Sequence, residues 1–137
     1  MKPTMLICGS DGLIGKSSLD YFKDRYDITA TLFNKDAPLK GSVDGVEYIS
    51  IDLRVESEVI ELFESKSFDV VLQAAATTTG AKDVIERPYV HVTDNSVMNS
   101  WIFREAMRTK VGHLLFPSCT VMYQPKDKPQ SEVDWSP

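Results

Sequence analysis

The chain is poor in cysteine, in histidine and in long apolar runs, and each shortage excludes a class of protein. Its two cysteines, Cys8 and Cys119, and its two histidines, His91 and His113, lack the spacing of a metal site or a redox motif. We therefore expect no metal centre and two buried thiols. No apolar segment approaches the roughly 20 residues that cross a bilayer. The N-terminus also lacks the apolar core of a signal peptide, which predicts a cytoplasmic protein without a membrane partner.

Positive charge is scarce as well. The chain has 15 Lys and Arg against 20 Asp and Glu, for a net charge of -5 at pH 7, and its basic residues are scattered. Nucleic acid is excluded as the main partner, because affinity for the phosphate backbone requires clustered Lys and Arg. With 137 residues, 42% of them hydrophobic, and no repeat or linker, residues 1–137 are expected to form one domain.

Apolar periodicity predicts strands that alternate with helices. Short apolar or β-branched runs predict five strands at Thr4–Cys8, Asp27–Phe33, Val46–Ile51, Phe68–Ala76 and His113–Phe116. Helical spacing predicts helices at about 13–25, at 55–63 and from an N-cap at Asp94 to about Gly112, the last after a long loop. This order is typical of parallel β-α-β units, so the predicted fold class is α/β with a doubly wound parallel sheet and helices on both faces.

The junction between the first strand and the first helix contains three regularly spaced glycines, in the segment CGSDGLIG from Cys8 to Gly15. Such a junction presents unpaired backbone N–H groups at the positive end of a helix, where a pyrophosphate binds. Gly9 is expected to make the tight turn, Gly12 to admit the pyrophosphate and Gly15 to let the helix pack on the strand. A turn without a ligand is the alternative, but the strand-helix-strand context favours dinucleotide binding.

The GxxGxxG spacing resembles the short-chain dehydrogenase/reductase superfamily. Within its extended branch, the chain resembles the NAD(P)-dependent epimerase/dehydratase family, which acts on nucleotide sugars. Further matches follow in the family's order at Asp52-Leu53, at Gln73-Ala-Ala-Ala76, at Asn95 and in the segment from His113 to Tyr123. Asn95 matches an asparagine early in the helix that is the fourth in the family. The resemblance covers nearly the whole chain and implies a Rossmann-like fold, truncated after the fifth strand.

The resemblance also implies a cofactor site. Asp52 and Leu53 would hold the adenine ring, and the small residues Ala74 to Ala76 would let ribose and nicotinamide lie against the backbone. The implied cofactor-binding residues are Gly9, Gly12, Leu13, Ile14, Gly15, Asn34, Lys35, Asp52, Leu53, Ala74, Ala75, Ala76 and Asn95.

The choice between NAD and NADP depends on the end of the second strand. NAD binders usually place an acid there for the ribose 2′-OH, whereas a basic residue accommodates the 2′-phosphate of NADP. The segment Phe33-Asn34-Lys35-Asp36 has no acid at the expected position and a lysine next to it, which favours NADP. A solvated Lys35, or Asp36 reaching the ribose of NAD, stays open.

The family's helper side chain on the fifth strand, which hydrogen-bonds the sugar, has three candidates. The usual register puts Cys119 there, a one-residue shift puts Ser118 there, and Thr120 is nearby. The hydroxyls are favoured, because a neutral thiol is a weak hydrogen-bonding group. Hydroxyls tied into local turns are the alternative without function.

The family's Tyr-x-x-x-Lys pair is missing, since no tyrosine in the chain has a lysine four residues later. We therefore expect the N-terminal cofactor-binding portion of a nucleotide-sugar epimerase, dehydratase or reductase, inactive by itself. A non-catalytic NAD(P)-binding sensor or scaffold is the alternative. The resemblance further implies a homodimer through the fourth helix, with Phe103 facing a partner or a missing domain.

Overall fold

The computed structural model describes residues 1–33, 42–78, 81–118 and 127–134. Its strands are β1 Thr4–Cys8, β2 Asp27–Leu32, β3 Glu47–Ser50, β4 Val70–Gln73 and β5 His113–Leu115. Its helices are α1 Leu13–Phe22, α2 Glu56–Ser65, α3 Ala81–Glu86 and α4 Pro88–Arg108, and a 3-10 turn follows at Glu132–Asp134.

The five strands form one parallel sheet in the order β3-β2-β1-β4-β5. At its centre, Leu6 of β1 lies between Thr29 of β2 and Val71 of β4. The chain builds the sheet in one direction from β1 to β3 and then crosses back to add β4 on the other side of β1. The carboxyl ends of β1 and β4 are therefore the switch point at which such sheets bind ligands. The predicted fold class is confirmed.

Helices cover both faces of the sheet because the central strand is apolar on both sides. Met5 and Ile7 of β1 pack in one cluster with Leu19 of α1. Leu6 packs in the other cluster, with residues of α2 and with Ile102 of α4. Successive side chains of a strand point to opposite faces, so this continuous apolar run is typical of a strand buried in a parallel sheet.

The prediction of a long loop before Asp94 is wrong in the part of the chain that the structure describes. The helix α3 lies within it, and α4 begins at Pro88 rather than at an N-cap Asp94. Proline marks loops, but at the first position of a helix its fixed φ and missing N–H cost nothing. His91, expected in a loop, therefore lies on α4.

Several elements are shorter than their sequence patterns. The helix α1 ends at Phe22, α4 ends at Arg108, and β4 ends at Gln73 instead of Ala76. Just after β4, the Ala74 N–H donates a backbone hydrogen bond to the carbonyl of Cys8, the last residue of β1, at 3.2 Å. Beyond it, the chain leaves the sheet.

A buried carboxylate ties α2 to α4. Glu105 is 1% exposed and accepts from Arg104 Nε at 3.0 Å and from Arg108 Nε at 2.6 Å. The two arginines reach across to Glu56 and Glu64 of α2. Burial raises the pKa of Glu105, but the hydrogen bonds from Arg108 and Arg104 outweigh it and leave the pKa lowered.

The substitution Glu105→Gln is expected to lower the free energy of unfolding by about 2 kcal/mol at neutral pH, less than for a fully buried ion pair because both arginines are nearly half-exposed. A lowered folded-state pKa stabilises the fold above the unfolded value and loses that effect as the pH falls through the folded value. The stability difference between wild type and variant should therefore shrink in acid. Urea unfolding at pH 7 and at acid pH measures it. The exposed partner variant Glu64→Gln is the control, and an equal loss there would contradict the prediction.

Within the described part of the chain, no helix is both long enough and apolar enough to cross a membrane. Phe103, expected to face a partner or a missing domain, makes an edge-to-face contact with Phe116, with ring centroids 5.3 Å apart. The predicted homodimer, the single domain and the cytoplasmic location stay predictions.

Candidate functional site

A cavity of about 600 Å³ opens at the carboxyl ends of β1, β2 and β4. Four segments and one helix side chain line it, namely Gly9 with Asp11–Ile14, Thr31–Phe33, Ile51–Arg54, Ala74–Thr78, and Met98 of α4. A larger cleft of about 850 Å³ lies beside the amino end of β2, around Tyr26 and Asp27. The smaller cavity is the candidate site, because parallel sheets bind ligands at the carboxyl ends of their strands.

The turn after β1 lies unusually close to the backbone that follows β4. Gly9 has a φ of +75°, and a Cβ there would lie 2.5 Å from the Cα of Ala75. The N–H and hydroxyl of Ser10 both donate to the Thr31 carbonyl, at 2.8 and 2.9 Å. Only glycine combines this backbone conformation with this approach, so the turn is held firmly between β2 and the exit of β4.

Gly12 and Gly15 have different surroundings. A Cβ on Gly15 would lie 2.2 Å from the Gly9 carbonyl oxygen, so this glycine lets α1 pack on the turn. Among the described residues, a Cβ on Gly12 would meet only that same oxygen, at 3.3 Å. Gly12 lines the cavity as the N-cap of α1. Leu13 and Ile14 follow it on the cavity wall. The first N–H groups of α1 are therefore accessible to an anion.

The exit of β4 forms the opposite wall and is held by α4. Ala74, Ala75 and Ala76 line the cavity, as does Thr77. Asn95 accepts from the Thr77 N–H at 2.8 Å and donates to its carbonyl at 3.2 Å. Asn95 itself does not line the cavity. Its hydrogen bonds hold Thr77, a residue of the cavity wall.

Sequence reasoning missed two residues at the far end of the cavity. Asp52 and Leu53 lie there as expected, but Arg54 and Phe33 line the same end. Both oxygens of Asp52 accept from Arg54, and the guanidinium carbon lies 5.0 Å from the Phe33 ring centroid. Hydrogen bonding to Asp52 raises the pKa of the Arg54 guanidinium. An arginine two residues after the acid was the signal available in the sequence.

Of the remaining predicted site residues, the structure describes only Ser118, which is exposed and does not line the cavity. Cys119 and Thr120, the other helper candidates, and Asn34 and Lys35, on which the preference for NADP depended, lie outside the described residues.

Cysteine and metal chemistry find no support in the described part of the chain. Cys8 is buried, and burial raises the pKa of its thiol to about 12, so it stays protonated. Among the described residues, no group of His, Cys, Asp and Glu could hold a metal ion.

In a comparison with protein families, the chain matches the NAD dependent epimerase/dehydratase family over residues 5–136. A comparison with curated proteins finds no match.

Among solved structures, the chain is similar to UDP-glucose 4-epimerase of Thermotoga maritima determined with UDP-glucose, at 16% identity and a TM-score of 0.83, over 96% of this chain and 44% of that one. The UDP-Glc/GlcNAc 4-epimerase of Campylobacter jejuni shares 24% identity, with a TM-score of 0.80 over 96% and 42%. The UDP-glucose 4-epimerase of Thermus thermophilus in complex with NAD shares 19%, with a TM-score of 0.82 over 96% and 43%. These likenesses establish the fold, and the chain spans about two-fifths of the length of each.

Proposed function

This chain belongs to the NAD dependent epimerase/dehydratase family, and from that membership we propose that its cavity binds NAD(P). We further propose that it is the cofactor-binding portion of a nucleotide-sugar epimerase, dehydratase or reductase. The similar solved structures support this substrate class, since they include a UDP-glucose 4-epimerase and a UDP-Glc/GlcNAc 4-epimerase.

The observation that carries the proposal is the open edge at Gly12. A Cβ on Gly12 would meet no side chain of the described residues within 4 Å. Gly12 also lines the cavity and is the N-cap of α1. A pyrophosphate needs this combination, because its oxygens accept from backbone N–H groups that a side chain would cover. The residues present therefore fit the dinucleotide.

The chain would bind the cofactor through three parts of the cavity. The turn from Gly9 to Gly15 would hold the pyrophosphate, Asp52 and Leu53 the adenine, and the alanine wall the nicotinamide ribose. The bound cofactor supplies transient hydride transfer with the sugar. The residues of this chain bind it, orient it and shield it from water.

The proposal covers NAD and NADP alike. The preference for NADP inferred from Lys35 has no support from related proteins, since the family is NAD dependent and the similar Thermus thermophilus structure is a complex with NAD. Arg54 is the one Lys or Arg among the described lining residues, and two carboxylates hold it. Side-by-side titration with both cofactors measures the choice.

Titration of the 137-residue chain with NAD and NADP by isothermal calorimetry tests the proposal. Saturable binding of one or both at a single site is the expected result, together with no epimerase or dehydratase turnover on UDP-sugars, because Tyr-x-x-x-Lys is missing. Failure of the folded chain to bind either cofactor would overturn the proposed function. Turnover by this chain alone would contradict the expected role of the missing pair.

A sensor or scaffold would also bind NAD(P) without turnover. A UDP-sugar titration of the cofactor-loaded chain separates the alternatives, since only the enzyme portion needs groups that face a sugar. Ser118 and its neighbours Cys119 and Thr120 are the residues proposed to contact it.

A further inference from the structure

Arg54 bridges two carboxylates that come from distant parts of the chain. Its Nε and Nη2 donate to the two oxygens of Asp52, at 2.9 and 2.8 Å. Its Nη1 donates to Asp94 of α4 at 3.0 Å. These side chains are 38%, 25% and 22% exposed, so water screens the ion pairs only in part. The two-pronged arrangement on Asp52 is the strong form of this pair.

The second carboxylate connects Arg54 to the alanine wall. Asp94 also accepts from the Thr77 hydroxyl at 3.3 Å, and Thr77 is the residue that Asn95 holds through its backbone. One guanidinium thus links the exit of β3, which lines the adenine end, to the exit of β4, which lines the other wall. In the fold these two exits belong to strands on opposite sides of β1.

Removing the guanidinium would leave two carboxylates facing each other. Both lie within 3.0 Å of the same arginine, so they are close enough to repel one another. Asp11 lines the same cavity and adds a third negative charge. A dinucleotide brings further negative charge, so its affinity depends on how well these acids are screened.

We propose that Arg54 is a positioning residue for the adenine end of the cofactor site, which holds Asp52 in place and screens Asp52 and Asp94 from the incoming anion. This inference rests on the proposed function. In this role Arg54 acts through the two carboxylates and does not select the 2′-phosphate of NADP, because its single positive charge is already paired with two carboxylates, which accept from three of its five N–H groups.

Equilibrium titrations with AMP, NAD and NADP test the inference on the 137-residue chain. Arg54→Gln is expected to weaken all three ligands about tenfold at low salt, and by less at about 0.5 M NaCl, where screening replaces the lost charge. Adding Asp94→Asn to Arg54→Gln is expected to restore most of the affinity, since it removes one of the repelling charges. If Arg54 only supported the fold, adding Asp94→Asn to Arg54→Gln would not restore the affinity.

The control variant is titrated with the same three ligands. Arg25→Gln removes an arginine that packs on Tyr21, away from the cavity, and should leave all three affinities unchanged. Should Arg54→Gln fail to fold, Arg54→Lys keeps the charge without the fork and is expected to weaken binding about threefold. Wild-type affinity in both Arg54 variants, or a loss confined to NADP, would overturn the inference and leave the proposed function standing. Absence of AMP and NAD binding by the wild type would contradict both.

Discussion

Gly12→Val is expected to weaken NAD(P) binding by about 100-fold or more while the chain stays folded. The valine side chain would extend from the edge of the cavity over the N-terminus of α1, where the pyrophosphate must approach. Losing two charge-assisted hydrogen bonds of about 1.5 kcal/mol each corresponds to this factor. Calorimetric titration of the variant with NAD and NADP measures it.

Gly112 offers a matched control for the glycine substitution. A Cβ there would lie 3.2 Å from the Asp69 carbonyl oxygen, nearly the same crowding as the 3.3 Å at Gly12. Gly112 precedes β5, at the amino end of the sheet and away from the cavity. Gly112→Val should therefore change stability about as much as Gly12→Val without changing affinity. Unchanged affinity in a folded Gly12→Val protein would remove the pyrophosphate from this turn.

Gly15→Ala is expected to destabilise the fold by about 3 kcal/mol, the upper range for forcing an atom into a packed site. The new Cβ would lie 2.2 Å from the Gly9 oxygen and 2.8 Å from both the Gly9 carbonyl carbon and the Ser10 Cα. All three are backbone atoms, so relief requires α1 to move away from the turn. Urea unfolding followed by circular dichroism measures the loss.

The comparison that isolates this effect is Gly12→Ala. It adds the same methyl group one helical turn earlier, where the nearest atom lies at 3.3 Å. We expect Gly12→Ala to cost less than about 1 kcal/mol of stability, mostly by small adjustments of the turn. Equal stability losses in the two alanine variants would show that the packing of α1 on the turn does not depend on Gly15.

Much of the fold could be predicted because the signals are local. The apolar run in β1, the glycine spacing after it and the helical spacing of α1 and α2 all lie within a few residues of one another. The start of α4 could not be predicted in the same way, because Pro88 is compatible with a loop and with the first turn of a helix. Contacts of α4 with the exits of β3 and β4 favour the helix.

The same distinction between local signals and distant contacts applies to the candidate site. The sequence by itself determined the succession of strands and helices along the chain and the glycine turn, because backbone preference and side-chain periodicity act over short distances. Only the tertiary structure decided that Gly9 lies against Ala75, and that Arg54 meets Asp94, which is 40 residues away. The physical reason is that parallel pairing aligns the carboxyl ends of separate strands at one edge, so the partners of a side chain there depend on the register of the whole sheet.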